Sequence, residues 1–350
     1  MQLTYLFIPK NHNLRHCSDA YNLALESRNS GSHVESIQIE RHRAFFRFFK
    51  KIINLQTEDT GEIFLFAPQG EYLFFSLILK ISSYFLAKKI TIYYLMHEPR
   101  YEQGRTSSIK AKLLYMYHLL MGRVADLILL PSNEALLKAQ TFIAPSKLHR
   151  VNLAFRSISD QILQSNLTQL KSTWESKTFS LLGTAAPDKN PQGFVLLASI
   201  VNQQYPGKAQ FIRAGRDRDV NVDYDKEIVR FPGYMPDRAK NYLFGLTHFI
   251  VVPYLFSTQS GVVAEALSHG KLIIVNDIPA FAHLKGLDFV FAIDFNDEDA
   301  IVKCLKDLFN LDWTEYQKRY WNAVNYFRDN FSEIYLAKVM DDIMSNDKIT

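Results

Sequence analysis

Only two cysteines occur in 350 residues, Cys17 and Cys304, so there is no disulfide framework and no Cys-x-x-Cys metal pair. That scarcity fits a reducing compartment, and a cytoplasmic location is expected. No apolar run reaches the roughly 20 residues that a membrane-spanning helix needs. The most apolar one, Tyr72–Ala87, is interrupted by Lys80 and is expected to be a buried core helix. Met1–Lys10 lacks a basic leader and a small-residue cleavage site, and is expected not to be a signal peptide. Internal repeats and low-complexity tracts are absent. The net charge is only +4, which makes no general case for nucleic acid. No Asp-x-Asp metal motif is well placed: Asp217-Arg218-Asp219 has the shape but lies in a basic turn, where solvation is expected. No metal and no resident cofactor are therefore expected.

What is present is a chain that is 47% hydrophobic, enough for sizeable cores, at a length that suggests two domains. Short β-branched runs alternate with amphipathic stretches, which predicts α/β architecture with parallel sheets. The polar tract Asn152–Lys177 is read as the connection between two halves, part of it helical. The halves are 1–160 and 175–325, followed by a terminal helical segment, 326–350.

The stretch around which the rest is organised is Val251–Asp277. Val251 and Val252 close an apolar run, Ser260 is a candidate N-cap, and Gly261–Ser268 has the pattern of a helix ended by Gly270. Leu272–Val275 then reads as a buried parallel strand. The amides at the start of such a helix, with the positive end of its dipole, form a ready site for phosphate. Gly261 admits close approach, and Glu265 lies one turn further in, where a carboxylate can accept hydrogen bonds from sugar hydroxyls. An ordinary βαβ unit with a capped helix and a surface glutamate fits the same pattern.

Glu40–Leu55 carries Phe45, Phe48, Phe49, Ile52 and Ile53 on one helical stripe, with Arg43, Arg47, Lys50 and Lys51 opposite. A basic face against an aromatic one suits an interfacial helix on an anionic membrane surface. It equally suits a helix that packs its phenylalanines on a sheet. The loop after the first strand (Leu3–Pro9) offers Asn11, His12 and Asn13, and the fourth strand (Ile92–Met96) runs into His97-Glu98-Pro99. Strand ends of this kind line ligand clefts in open α/β sheets. His97 could accept a proton from a bound hydroxyl or cap a carbonyl.

The run P-Y-x5-S-G-V-V-x-E-A-L-x-x-G-K-x-I-I from Pro253 resembles the donor-binding segment of GT-B glycosyltransferases, above all family 4. The resemblance covers most of the chain in order and is specific from Phe179 to Leu284. It implies two Rossmann-like domains facing across a cleft. The first would bind an acceptor and the second a nucleotide-diphosphate-sugar, and the terminal helix would return to the first. Glu265 matches the glutamate that binds ribose. The amides of Thr258, Gln259, Ser260 and Gly261 match those that meet the diphosphate and sugar. Lys189 matches the lysine that neutralises the diphosphate.

In that family Tyr234 falls on the turn against the nucleobase, and His97 on the acceptor-side histidine. This sequence departs from the pattern at Ser257, where the family has its first glutamate, and at Gly183, where it has an arginine. Arg213, Arg216 and Arg218 stand nearby and are expected to compensate for that arginine. The loop holding Asn11, His12 and Asn13 lacks the glycine pair common in the family. The resemblance implies a retaining hexosyltransferase that uses a nucleotide-sugar as co-substrate. Its expected acceptor is a glycan or lipid-linked glycan, in bacterial surface-polysaccharide synthesis at the inner face of the cell membrane. A non-catalytic glycosyltransferase-like binding subunit and a GT-B-fold nucleotide-sugar epimerase remain as alternatives.

Overall fold

The computed structural model describes residues 3–9, 15–28, 33–39, 61–66, 70–85, 90–96, 99, 108–257 and 260–346. Asn11, His12 and Asn13, the basic set Arg43, Arg47, Lys50 and Lys51, His97, Thr258 and Gln259 lie outside the described residues. The chain divides into two compact units, Met1–Arg156 with Asn330–Thr350, and Ser157–Asp329.

Among the described residues the first unit holds six strands: β1 (Leu3–Pro9), β2 (His33–Ile39), β3 (Gly61–Phe66), β4 (Ile90–Leu95), β5 (Leu127–Leu130) and β6 (Leu148–Arg150). They form one parallel sheet in the order β2-β1-β3-β4-β5-β6. Strands β4 (ITIYYL) and β5 (LILL) are apolar almost throughout and nearly wholly buried, as strands covered on both faces must be. Helices α1 (Arg15–Arg28), α2 (Gly70–Phe85), α3 (Ser108–Val124) and α4 (Asn133–Gln140) lie between the strands in sequence. Helix α4 starts where the serine pattern predicts, with the Ser132 hydroxyl accepting the Ala135 amide at 3.1 Å. Ile92, Tyr94, Ile128, Leu130 and Met121 are part of the core.

Helix α2 departs from the expectation of a buried core helix. Tyr72, Ser76 and Leu79 face the core, but Leu77, Ile81, Tyr84 and Phe85 on the other side are exposed. The segment is apolar all round, so periodicity alone could not show that only one side is covered.

The second unit is a parallel sheet of β7 (Lys177–Leu182), β8 (Ala209–Gly215), β9 (Ile228–Pro232), β10 (Phe249–Val252), β11 (Leu272–Asn276) and β12 (Val290–Ile293). Their order is β12-β11-β10-β7-β8-β9, so the winding reverses between β7 and β10. In open parallel sheets, ligands collect at the carboxyl ends of the strands beside such a reversal. Phe211, Phe179 and Phe249 sit side by side on β8, β7 and β10 and stack at 5.6 and 5.0 Å, which pins the register under the reversal. The helices are α5 (Asp160–Ser172), α6 (Pro191–Gln204), α7 (Asp237–Leu246), α8 (Gly261–Ser268), α9 (Glu298–Asn310) and α10 (Trp313–Asn330).

Half of the tract read as a connection is α5, whose Leu163, Leu167 and Leu170 are buried. Its abundant Ser and Gln hid an ordinary three-leucine stripe. Helix α11 (Glu333–Asn346) belongs to the first unit and packs on α1. There the Phe155 amide donates to the Phe331 carbonyl at 2.8 Å and the Asn152 side chain to the Asn330 carbonyl at 3.0 Å.

At the amino end of β11, Lys271 is fully buried. Among the described residues its Nζ has no hydrogen-bond partner, and it sits 5.4 Å from the centre of the Tyr320 ring. Burial alone lowers its pKa to about 7.

Candidate functional site

The second unit builds its candidate site from three strand ends. Strand β7 stops at Leu182 and turns at Gly183, β8 ends at Gly215, and β10 ends at Val252, ahead of α8 with its cap at Ser260. Gly183 has φ +92, and a Cβ there would lie 3.3 Å from Val262 Cγ2 in the first turn of α8. Gly215 has φ +128, and a Cβ there would sit 2.0 Å from the Gly183 carbonyl oxygen. The two glycines thus let the ends of β7 and β8 close up beside the start of α8. A side chain at 183 would be strained by that backbone.

Ser260 caps α8 with extended backbone, and its hydroxyl accepts the Val263 amide at 3.4 Å. The first amides of a helix lack carbonyl partners four residues back. Once Val263 is capped, those of Gly261 and Val262 remain to meet an anion. Tyr254 backs this turn. Its buried hydroxyl is pushed up to about 12 by desolvation, against the opposing pull of its hydrogen bond with Ser260. The side-chain amide of Asn276 donates to the Tyr254 carbonyl at 2.9 Å and holds the loop to β11.

Lys189 lies against the same tyrosine, its Nζ 3.8 Å from the centre of the Tyr254 ring and 3.7 Å from a carboxylate oxygen of Asp188. It arrives there because Pro187–Lys189 forms a turn and Asn190, in left-handed conformation, caps α6. The Leu255 amide donates to the Asp188 carbonyl at 2.9 Å, so the loops bearing Lys189 and Ser260 are tied together. Glu265 forms an ion pair with Lys240 of α7, and Lys240 is also 3.5 Å from Asp237. Glu265 and Lys240 are both largely buried yet reach solvent. Arg216 is exposed, with its guanidinium 5.7 Å from the ring centre of Tyr234, which is itself 67% exposed.

Arg213 requires a correction. Its guanidinium is buried and donates to the carbonyls of Leu181, Gly183 and Arg216, to the Tyr224 hydroxyl and to Asp217. With its donors committed inward it cannot hold a phosphate; it is the post on which the strand ends are hung. Strand β8 is buried on both faces from Phe211 to Gly215, so position 213 is covered whichever way it points. Asp217 is taken up by Arg213 and Arg230, whereas Asp219 is exposed, as expected of a solvated turn. Ser257 is buried.

Lys189, Ser260, Gly261 and Glu265 are therefore carried by the loops and helices that meet at the reversal, and Arg216 and Tyr234 follow β8 and β9. Two contributors escaped the sequence. Lys240 is separated from Glu265 by 25 residues, and no spacing rule links them. Tyr254 stood inside the quoted motif, but nothing in the pattern gave it the tasks of backing Lys189 and bonding Ser260. Among the described residues no cluster of three or more His, Cys, Asp or Glu side chains could hold a metal ion.

No protein-family model matches the chain, and no curated protein sequence does. Solved structures do match. HepE from Anabaena in complex with UDP-glucose is 14% identical with TM-score 0.64, covering 99% of this chain and 100% of that one. Sucrose-phosphate synthase from Thermosynechococcus elongatus is 12% identical with TM-score 0.67, covering 99% of both chains. The α,α-trehalose 6-phosphate synthase from Burkholderia multivorans is 11% identical with TM-score 0.64, covering 99% and 97%. At these identities the likeness establishes the architecture: the chain has the α/β GT-B fold.

Proposed function

We propose that this protein is a glycosyltransferase that uses a nucleotide-diphosphate-sugar. The observation that carries the reading is the Ser260-capped start of α8 at the β7/β10 reversal, with Lys189 against the Tyr254 that backs it and the Glu265–Lys240 pair one turn in. Those parts suit the three parts of the donor. The diphosphate takes the amides of Gly261 and Val262 and the charge of Lys189. The ribose hydroxyls donate to Glu265, and the base lies near Tyr234. The structural relatives bound to UDP and UDP-glucose favour a uridine donor of that kind.

In this reading the bond between the sugar's anomeric carbon and the diphosphate oxygen breaks, and the nucleoside diphosphate leaves with its extra charge stabilised by the helix start, Lys189 and Arg216. A bond forms from the acceptor hydroxyl oxygen to the anomeric carbon. His97, by its sequence position after β4, takes the hydroxyl proton, and Asn11, His12 and Asn13 belong to the acceptor side. Retention of configuration, a glycan or lipid-linked glycan acceptor, a role in surface-polysaccharide synthesis and turnover without a divalent cation all belong to this proposal. So does a peripheral place at the inner face of the cell membrane, with Arg43, Arg47, Lys50 and Lys51 on anionic lipid. No helix among the described residues is long and apolar enough to cross a membrane.

The decisive experiment incubates the protein with a panel of nucleotide-sugars and a lipid extract and follows nucleoside diphosphate. Acceptor-dependent release that survives EDTA is expected. Tight donor binding without turnover would favour the binding-subunit reading, and an isomerised donor the epimerase. Arg216→Ala should weaken donor binding about two- to fivefold, the size of one exposed ion pair; calorimetry with UDP measures it. In a flotation assay, Arg47→Glu with Lys50→Glu should reduce binding to anionic vesicles.

A further inference from the structure

Helices α2 and α3 pack against each other in the first unit, and both leave an apolar stripe uncovered. On α2 the stripe is Leu77, Ile81 and Tyr84, at i, i+4 and i+7, with Phe85 beside it. On α3 it is Ile109, Leu113, Met116 and Leu120, at i, i+4, i+7 and i+11. Exposure reaches 84% at Tyr84, 77% at Phe85 and 70% at Ile109. These are the faces opposite the core residues Tyr72 and Leu79 of α2 and Met121 of α3, so the exposure belongs to the outer surface of two correctly packed helices. Single exposed apolar residues are ordinary, but two adjacent stripes are the mark of an interaction surface.

The charges around the stripes select the partner. Helix α3 carries Lys110, Lys112 and Arg123 and no acidic residue. Lys112 and Arg123 are exposed. Helix α2 adds Glu71 and Lys80, of which Lys80 is spent on Asp126. A second copy closing on this face about a two-fold axis would meet the same cations. An anionic headgroup layer over an apolar interior complements both features, and Tyr84 has the amphipathic ring favoured at that level.

We infer that the outer face of α2 and α3 seats the protein on an anionic lipid bilayer, with the leucine and isoleucine side chains in the acyl boundary and Lys112 and Arg123 among the headgroups. This rests on the proposed transferase reading only for what the bilayer would carry, namely a lipid-linked acceptor. The seat itself depends on no catalytic residue, and it is separate in sequence from the basic-aromatic stretch 40–55.

The test is flotation of the full chain with vesicles of equimolar phosphatidylcholine and phosphatidylglycerol. Wild type is expected to float, and Ile81→Glu combined with Leu113→Glu to lower partitioning by at least about tenfold, from the loss of two apolar side chains. Tyr242→Glu, at an exposed site in the second unit, should leave flotation unchanged. Circular dichroism and the melting temperature keep the comparison to folded protein. UDP titration separates the two readings. A double variant that binds UDP normally but does not float supports the seat, whereas wild type that floats without binding UDP sinks only the transferase reading. The seat is overturned if the double variant floats like wild type, if wild type does not float, or if wild type is a dimer that the double variant makes monomeric.

Discussion

Replacing Glu265 by alanine is expected to weaken UDP-sugar binding by about ten- to a hundredfold, because it removes charge-assisted hydrogen bonds worth roughly 1.5–3 kcal/mol. The carboxylate is anchored by Lys240 and still reaches solvent. An ionised carboxylate has acceptor sites for more than one donor, so it can keep Lys240 while receiving two ribose hydroxyls. Lys240 fixes its direction in advance, which spares the donor the cost of ordering it. Lys240→Met should therefore weaken binding less than Glu265→Ala. The measurement is calorimetric titration of wild type and both variants, with melting curves to establish folding. Unchanged affinity in Glu265→Ala would remove the ribose from this end of α8.

Lys271→Met is expected to stabilise the second unit strongly at neutral pH. Nothing among the described residues offers the buried amine a hydrogen bond, and burial takes its pKa from 10.5 to about 7. At roughly 1.4 kcal/mol for each tenfold change in proton affinity, the lysine costs on the order of 5 kcal/mol below pH 7. The sign follows from proton counting. Between about pH 7 and 10.5 the unfolded chain holds a proton on this amine that the folded chain has shed, so the lysine's contribution to stability rises with pH. Below pH 7 both states hold it and the penalty is full; above 10.5 neither does and the penalty is gone. Methionine fills a similar volume without the charge. Denaturant melts should show the variant well above wild type at pH 7 and the gap closing toward pH 10. A constant gap would mean the amine is not the cause.

The second unit was legible because its signals are local. A capping serine, a helix of eight residues, a stopping glycine and a β-branched strand follow one another without interruption from Ser260 to Val275, and each is a short-range preference of the backbone. What was not legible depended on contacts distant in sequence. Arg213 was expected to stand in for the arginine missing at Gly183, and only the pairing of β8 with β7 shows that its guanidinium is folded inward. Lys240 could be assigned to Glu265 only once α7 was seen beside α8. Helix α2 was misjudged for a different reason: apolar content measures how much a segment can bury, whereas what covers it is a property of its neighbours.

The path of the chain bears on how the protein is made. The sheet of the first unit is complete at Arg150, but its α11 comes after Asn330, with Phe155 bonded to Phe331 across the whole of the second unit. The second unit is in effect an insertion within the first, its own ends drawn together by the Asp160–Arg328 pair. On the ribosome, the lobe that starts first must wait for the lobe that starts second, so α1 stays without its helical neighbour until the last segment emerges.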